Sequence, residues 1–290
     1  MTLSSTATRS SYGQRLTAAV AERGSLCVGI DPHPQILQAW GLDRDAAGLE
    51  RCARGMVEAL GGTVAVFKPQ SAFFEAFGAA GVAVLERVLA DIRDTGALSL
   101  LDVKRGDIGS TMDAYAAAYL TDGSPLAADA VTVSPYLGFG SLRGAIDLAA
   151  AQARGVYVLA LTSNPEAPEL QHAVTARGMS VAQSIVDAAA ELNSTDQPGR
   201  VGLGHVGLVV GATVGRTGVD FTRLNGSILA PGLGAQGAGA ADLAEVFGSA
   251  LPLVLGSSSR EVMSAGPQAE ALRAAARRAV GEVEAVTVLG

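Results

Sequence analysis

Cysteine, histidine and formal charge are all scarce in this chain, and it has no long apolar run. It has two cysteines and three histidines in 290 residues, and Asp, Glu, Lys and Arg make up 17% of it. Cys27 lies in an apolar, strand-like run and Cys52 in a helix-like one, so two buried thiols and a reducing, cytoplasmic setting are expected rather than a disulfide. His33, His172 and His205 are far apart and lack metal-ligand spacing, so no metal site is expected from them. No apolar stretch reaches the roughly 20 residues of a membrane span. The start, MTLSSTATRSS, lacks the apolar centre of a signal peptide; residues 1–11 are expected to form a disordered tail, and no membrane partner is expected. The net charge of −7 argues against sequence-independent nucleic-acid binding. Neither a nucleophile elbow nor a Ser/His/Asp order occurs. No Pro/Ser-rich linker or composition break divides the chain, which predicts one domain over 12–290.

Hydrophobic residues make up 49%, as in an ordinary globular protein. Apolar or β-branched runs recur at Leu26–Ile30, Val64–Phe67, Leu98–Val103, Ala130–Val133, Val156–Leu161, Val206–Val210, Ile228–Ala230 and Leu253–Leu255. Between them lie segments with helical spacing, such as Asp45–Leu60, Ala72–Asp94, Ser141–Ala153, Met179–Leu192, Ala240–Phe247 and Pro267–Glu284. Alternating strands and helices predict a parallel sheet covered by helices. Eight such units fit a (β/α)₈ barrel; an open doubly wound sheet is the alternative. In a barrel, functional residues collect at the C-terminal strand ends. Asp31, Lys68, Asp102 with Lys104, Ser163, Gln236 and Arg260 fall at or after the ends of strands one, two, three, five, seven and eight.

The densest chemistry is in LLDVKRGDIGST. The apolar run Ala97–Leu101 leads into Asp102 and Lys104, which point to one side of a regular strand, and Asp107 falls in the turn that follows. Charges at the end of an apolar strand are costly to desolvate, which suits an enzyme that stabilises or expels charge. Carboxylates beside Lys104 favour its charged form and a general-acid role. An ion-pair network at the barrel rim is the structural alternative. A metal site is a third, although a lysine between the two oxygen ligands disfavours a hard cation.

Four loops offer further candidates. PGLGAQG, Pro231 to Gly237, lets backbone N–H groups approach an anion ahead of a helix, or is a plain Gly-rich turn. It also spells G-x-G-x-x-G, but late in the chain and without an acidic residue ending the next strand, so a dinucleotide site is discounted. In GSSSRE, Arg260 can hold phosphate oxygens bidentately or cap a surface loop. In LTSNPEAP, Ser163 and Asn164 either contact a ligand or cap a turn. In IDPHP, Asp31 suits a sugar hydroxyl, and His33 reads as a loop residue.

Together VGIDPHP, VFKPQSAFFEAFG, LDVKRGDIGST, LTSNPEA, APGLGAQG and SSSRE resemble orotidine 5′-phosphate decarboxylase, and more closely its mycobacterial-type branch. The resemblance covers nearly all of the chain beyond the first ten or so residues. It implies a homodimer of (β/α)₈ barrels with shared sites. Each would convert orotidine monophosphate to uridine monophosphate and carbon dioxide, the last step of de novo UMP synthesis, without metal or organic cofactor. By this likeness Lys104 donates the proton, Asp102 sits against the departing carboxylate, and Lys68 holds Asp102 and the ribose. Asp107 and Thr111 reach into the neighbouring subunit's site. Asp31 contacts the ribose and Ser163 the pyrimidine. Gln236 and Arg260 bind phosphate beside the loop of Pro231, Gly232 and Gly234, with Ser257, Ser258 and Ser259 as further candidates. Magnesium-dependent sister enzymes carry an acidic metal ligand where Lys68 stands. The stretch Glu166 to Gly178 is long for a βα connection and reads as part of a lid or as a surface insert.

Overall fold

The computed structural model describes residues 9–195, 202–233 and 239–287. Its centre is a closed barrel of parallel strands in chain order. They are β1 (Leu26–Ile30), β2 (Val66–Pro69), β3 (Leu98–Arg105), β4 (Ala130–Val133), β5 (Gly155–Leu161), β6 (Val206–Val210), β7 (Ile228–Pro231) and β8 (Val254–Ser258). β8 returns to pair with β1, with Cys27 opposite Ser257, so the sheet has no free edge. Helices follow every strand except β6, whose connection to β7 through 211–227 is non-helical, and they cover the outer face, giving the expected (β/α)₈ barrel rather than an open sheet.

The two-residue period of a strand explains both the core and the site. Side chains on one face of each strand, such as Leu26, Val28, Ile30, Phe67 and Val131, pack against the helices. The other face fills the barrel: Cys27, Val66, Leu98, Leu100, Ala130, Tyr157, Val209, Leu229 and Leu255 form one buried cluster. Two residues further along the same inward face stand Gly29, Lys68, Asp102, Thr132 and Ser257. The interior is thus apolar below and polar above.

A helix ahead of β1, Tyr12–Arg23, closes the lower end; apolar spacing alone does not single it out. Ser11 caps it through a capping box with Gln14, and Tyr12 and Leu16 join the inner cluster. The Tyr12 and Tyr157 hydroxyls lie 3.0 Å apart. Glycines make room for these rings: a Cβ on Gly155 would lie 2.5 Å from the Tyr12 ring, and one on Gly207 would lie 2.6 Å from Tyr157. Beside them Asp129 accepts from Arg15 at 2.5 Å and from the N–H and hydroxyl of Ser99 at 3.0 Å each. Burial pushes the Asp129 carboxyl up, but Arg15 and Ser99 outweigh it and hold it below the usual range. Of the expected tail, residues 1–8 lie outside the described residues, whereas Arg9 pairs with Asp122 and Asp129.

Elsewhere the elements differ in detail from the sequence expectation. The single helix expected over Ala72–Asp94 is two, Ser71–Glu75 and Gly78–Thr95. Gly78, which opens the second, has φ +60°, a conformation glycine adopts without a Cβ penalty. A Cβ on Gly81 would lie 2.0 Å from the Phe74 carbonyl oxygen, so the second helix starts against the end of the first. The strands expected at Val64–Phe67 and Leu253–Leu255 extend to Pro69 and Ser258. Their charged and hydroxyl-bearing ends hide a strand from a hydrophobic reading. After β5, Glu166 to Gly178 is not structureless. It holds a short helix, Ala167–Gln171, and a turn closed by the Val174–Ser180 bridge.

Candidate active site

At the C-terminal end of the barrel a cavity of about 630 Å³ opens, lined by Asp31, Lys68, Asp102, Lys104, Pro231, Gly232, Ser257 and Arg260 among others. Four of the expected charges meet there. Asp102 is only 8% exposed and lies between two ammonium groups, with Lys104 Nζ 2.7 Å from Oδ1 and Lys68 Nζ 3.2 Å from Oδ2. Lys68, 7% exposed, also stands 3.9 Å from Asp31. The row therefore runs Asp31, Lys68, Asp102, Lys104, alternating in sign.

Burial alone would push Asp102 up, but Lys68, Lys104 and its hydrogen bonds outweigh that and bring it down to about 2. Burial likewise disfavours the Lys68 ammonium, yet Asp31 and Asp102 hold its pKa above the ordinary lysine value. Both groups are charged at neutral pH because each is the other's partner. Lys104 is different: its side chain is 47% exposed, and it faces the cavity. The row thus has two anchored members and one ammonium group available to a ligand.

Two further residues complete the Asp102 carboxylate, and neither stands out as a site residue in the sequence. Gln70 Nε2 donates to Oδ2 at 2.8 Å, and the Thr132 hydroxyl donates to Oδ1 at 2.7 Å. Gln70 has a readable signal, standing two residues past Lys68 and so on the same side of an extended chain. Thr132 sits in the apolar run AVTV, where a threonine reads as an ordinary β-branched strand residue. His33, read as a loop residue, lines the cavity and packs its ring against Phe73, with centroids 4.3 Å apart.

Asp31 lines the cavity; its buried Oδ1 has no hydrogen-bond partner and faces the Lys68 ammonium at 3.9 Å. Its backbone N–H is held by Met263 Sδ at 3.2 Å. Met263 belongs to the helix Arg260–Ser264, and its carbonyl accepts from Trp40 Nε1 at 2.9 Å. That helix starts directly after Ser259 and carries Arg260 at the cavity, where the exposed guanidinium pairs with no carboxylate among the described residues. Ser257 and Ser259 line the cavity too. Ser258, between them, faces a small pocket on the outer side of the barrel, as strand alternation requires. Gly29 allows this packing, since a Cβ there would lie 2.5 Å from that of Ser259. Gly232 has φ +113°, and it lines the cavity with Pro231. Gly234 and Gln236 lie outside the described residues.

Three expected site residues are not on this cavity wall. Asp107 follows β3, and its carboxylate accepts from the Ile108 N–H at 2.8 Å. Thr111 is exposed in the first turn of the helix Gly109–Leu120. Ser163 is exposed after β5, where Gln171 instead ties down Thr162 through two hydrogen bonds of 2.8 Å.

A family model described as orotidine 5′-phosphate decarboxylase / HUMPS matches residues 24–275. The orotidine 5′-phosphate decarboxylase of Salinispora arenicola is 62% identical over 275 residues, covering 95% of this chain and 98% of that one. That of Streptomyces coelicolor is 54% identical, covering 94% and 96%. A crystal structure of a Streptomyces avermitilis protein aligns with a TM-score of 0.93 at 52% identity, covering 99% of this chain and 100% of that one. Matches of this extent, on a chain whose barrel carries Asp31, Lys68, Asp102 and Lys104 in one charged row, establish that it belongs to the orotidine 5′-phosphate decarboxylase family.

Proposed function

We propose that this chain decarboxylates orotidine 5′-monophosphate to uridine 5′-monophosphate, the last step of de novo UMP synthesis, without a metal or organic cofactor. The observation that carries the reading is Lys104, an ammonium group facing the cavity and fixed 2.7 Å from a buried carboxylate. When the bond to the departing carboxylate breaks, its electron pair stays on the ring carbon. Lys104 stabilises that charge and then transfers a proton from Nζ to the carbon; a solvent proton restores the ammonium. The sum is orotidine monophosphate plus one proton giving uridine monophosphate and carbon dioxide.

Asp102 fixes Lys104 and faces the carboxylate that leaves. Lys68 keeps Asp102 charged in a buried setting, since a carboxylate stripped of its partner there is costly. Because these dipoles and charges are already in place, little reorganisation is needed as charge develops. Asp31, whose carboxylate lines the cavity, receives a ribose hydroxyl. Arg260, Ser259 and the Gly232 backbone N–H take the phosphate, with Pro231 shaping the start of the loop and Gly234 and Gln236 assigned to the same loop from the resemblance. Ser163 is assigned to the pyrimidine. Phosphate binding is remote from the bond that breaks, and its energy positions the ring against Lys104.

Asp107 and Thr111 are assigned to the partner's site in a homodimer. The exposure of Ile108, Tyr136 and Leu137 on the adjoining loops supports an interface there. Those loops touch, with the Ser134 N–H donating to the Arg105 carbonyl at 2.8 Å. One catalytic domain over 12–290 in the cytoplasm completes the proposal.

The test is the ultraviolet absorbance of orotidine monophosphate mixed with purified protein and excess EDTA. Loss of the orotate band with formation of uridine monophosphate is expected. An unchanged spectrum, with turnover of a sugar phosphate once magnesium is restored, would assign the chain to the magnesium-dependent sister chemistry.

A further inference from the structure

The ladder between β3 and β4 breaks at the catalytic segment. Leu101 pairs with Val131, but the next register pair is Arg105 with Val133. Three residues of β3, Asp102, Val103 and Lys104, therefore stand opposite the single residue Thr132. An excess of this kind leaves backbone N–H groups without ladder partners. Lys104 also has φ +45°, a left-handed conformation that is uncommon for a residue with a Cβ. A regular strand would give neither feature.

The Thr132 side chain supplies what the ladder lacks. A hydroxyl has one proton to donate and two lone pairs. Thr132 Oγ1 accepts from the Val103 N–H at 3.1 Å and from the Lys104 N–H at 3.0 Å. Its own proton goes to Asp102 Oδ1 at 2.7 Å, the same oxygen that holds Lys104 Nζ. All three bonds of one buried hydroxyl are spent on three consecutive residues. The group fixes the backbone of Lys104 and the carboxylate that orients its ammonium.

We infer that Thr132 is a positioning residue for the reaction. It holds the bulge of β3 in the one backbone conformation that aims Lys104 Nζ from Asp102 into the cavity. This rests on the decarboxylase reading for the identity of the reaction, but not for the geometry. Thr132 lines no part of the cavity wall and acts through Asp102 and Lys104. Valine is the discriminating substitution, because it keeps the β-branched shape and removes only the hydroxyl. It leaves two buried N–H groups unpartnered, which in a native fold is rare and costly.

The test joins kinetics to structure, using wild type, Thr132→Val, Thr132→Ala and Thr132→Ser as full-length chains. On orotidine monophosphate, Thr132→Val and Thr132→Ala should lose about 100-fold in kcat, the cost of a displacement on the order of 1 Å. KM should stay close to wild type, because ribose and phosphate contacts are untouched. Thr132→Ser keeps the hydroxyl and should recover most of the rate. In crystal structures Lys104 should leave its left-handed conformation in Thr132→Val and Thr132→Ala and keep it in Thr132→Ser. Wild-type kcat in the valine and alanine chains overturns the inference, as does a serine chain no better than valine. If the valine chain does not fold, the alanine chain, whose smaller side chain leaves room for water to reach the two N–H groups, decides the matter by the same readouts. If wild type itself does not turn over orotidine monophosphate, the decarboxylase reading fails, and the Lys104 backbone in the variant structures alone decides the role of Thr132.

Discussion

Lys104 Nζ lies 2.7 Å from Asp102 Oδ1 although the strand between the two residues is bulged and Lys104 is left-handed. Alternation alone would put both side chains on one face; the structure reaches the same contact by an irregular backbone. Removing the ammonium by Lys104→Ala should lower kcat on orotidine monophosphate by at least about 10³-fold, combining lost acid catalysis and lost charge stabilisation. Circular dichroism should be unchanged, because the side chain is half exposed. Near-full activity in this variant would assign the proton donor elsewhere.

The depressed carboxyl of Asp102 makes a stability prediction with a definite sign. Its folded pKa of about 2 lies below the unsupported 3.8. The ionised form is therefore favoured by folding, and its contribution is fully present above pH about 4. It is lost as pH falls toward 2, and amounts to on the order of 2 kcal/mol. Lys68 acts oppositely: its raised pKa gives a contribution present below the ordinary lysine value and lost at higher, strongly alkaline pH. Urea unfolding across this range, wild type against Asp102→Asn, should show the acid-side difference shrinking below pH about 4. A constant gap would mean that the pairing adds nothing to folding.

Arg260 stands at the cavity mouth with its guanidinium unpaired among the described residues. Arg260→Ala should raise KM for the phosphorylated substrate by about 10- to 100-fold, the worth of charged hydrogen bonds. The nucleoside, which has no phosphate, should be affected far less. Equal losses on both substrates would place the phosphate away from this helix.

The proposed role of Asp107 and Thr111 in a partner's site is tested by subunit exchange. Chains carrying Asp102→Ala and chains carrying Asp107→Ala should each be nearly inactive. Mixed and allowed to re-pair, they should regain up to about a quarter of wild-type activity, since a mixed dimer rebuilds one intact site of two. Mixed dimers that form and stay inactive would show that one chain builds the whole site.

At the lower end of the barrel, Tyr12→Phe should cost about 1 kcal/mol for the hydrogen bond to Tyr157. Tyr12→Ala should cost about 3–5 kcal/mol for the emptied volume. Gly155→Ala should be destabilising too, because the new methyl meets the Tyr12 ring. Thermal unfolding monitored by circular dichroism checks all three, and the decarboxylation rate at low temperature should change little.

Much of this molecule is legible in one sequence because barrel strands repeat a simple rule. Apolar runs mark buried strands, and the charges that end the first three mark the cavity end of the barrel; Asp31, Lys68, Asp102 and Lys104 follow this directly. The rule fails where a strand stops being apolar before it stops being a strand. β2 and β8 therefore run past their predicted ends, through Lys68 and Ser258. It fails again where a functional residue has no unusual chemistry of its own. Thr132 looks like any β-branched residue, and its role depends on which three residues of another strand it faces. The break at Gly78 needs a left-handed turn that helical spacing does not encode. Thr111 rests on kinship alone, whereas Asp107 and Ser163 are legible only as polar residues just past strand ends, their roles coming from kinship. Their positions off the cavity wall show how little strand periodicity says about loops.

Trp40 is the sole tryptophan of the chain, and its indole N–H is bonded to Met263 in the same short helix that presents Arg260. The protein thus carries a built-in fluorophore bonded to the helix on which the proposed phosphate ligand Arg260 stands. A ligand that draws Arg260 inward should therefore disturb the Met263 carbonyl and the indole's surroundings. Emission from the unlabelled protein should then report binding at that edge without a reaction having to occur.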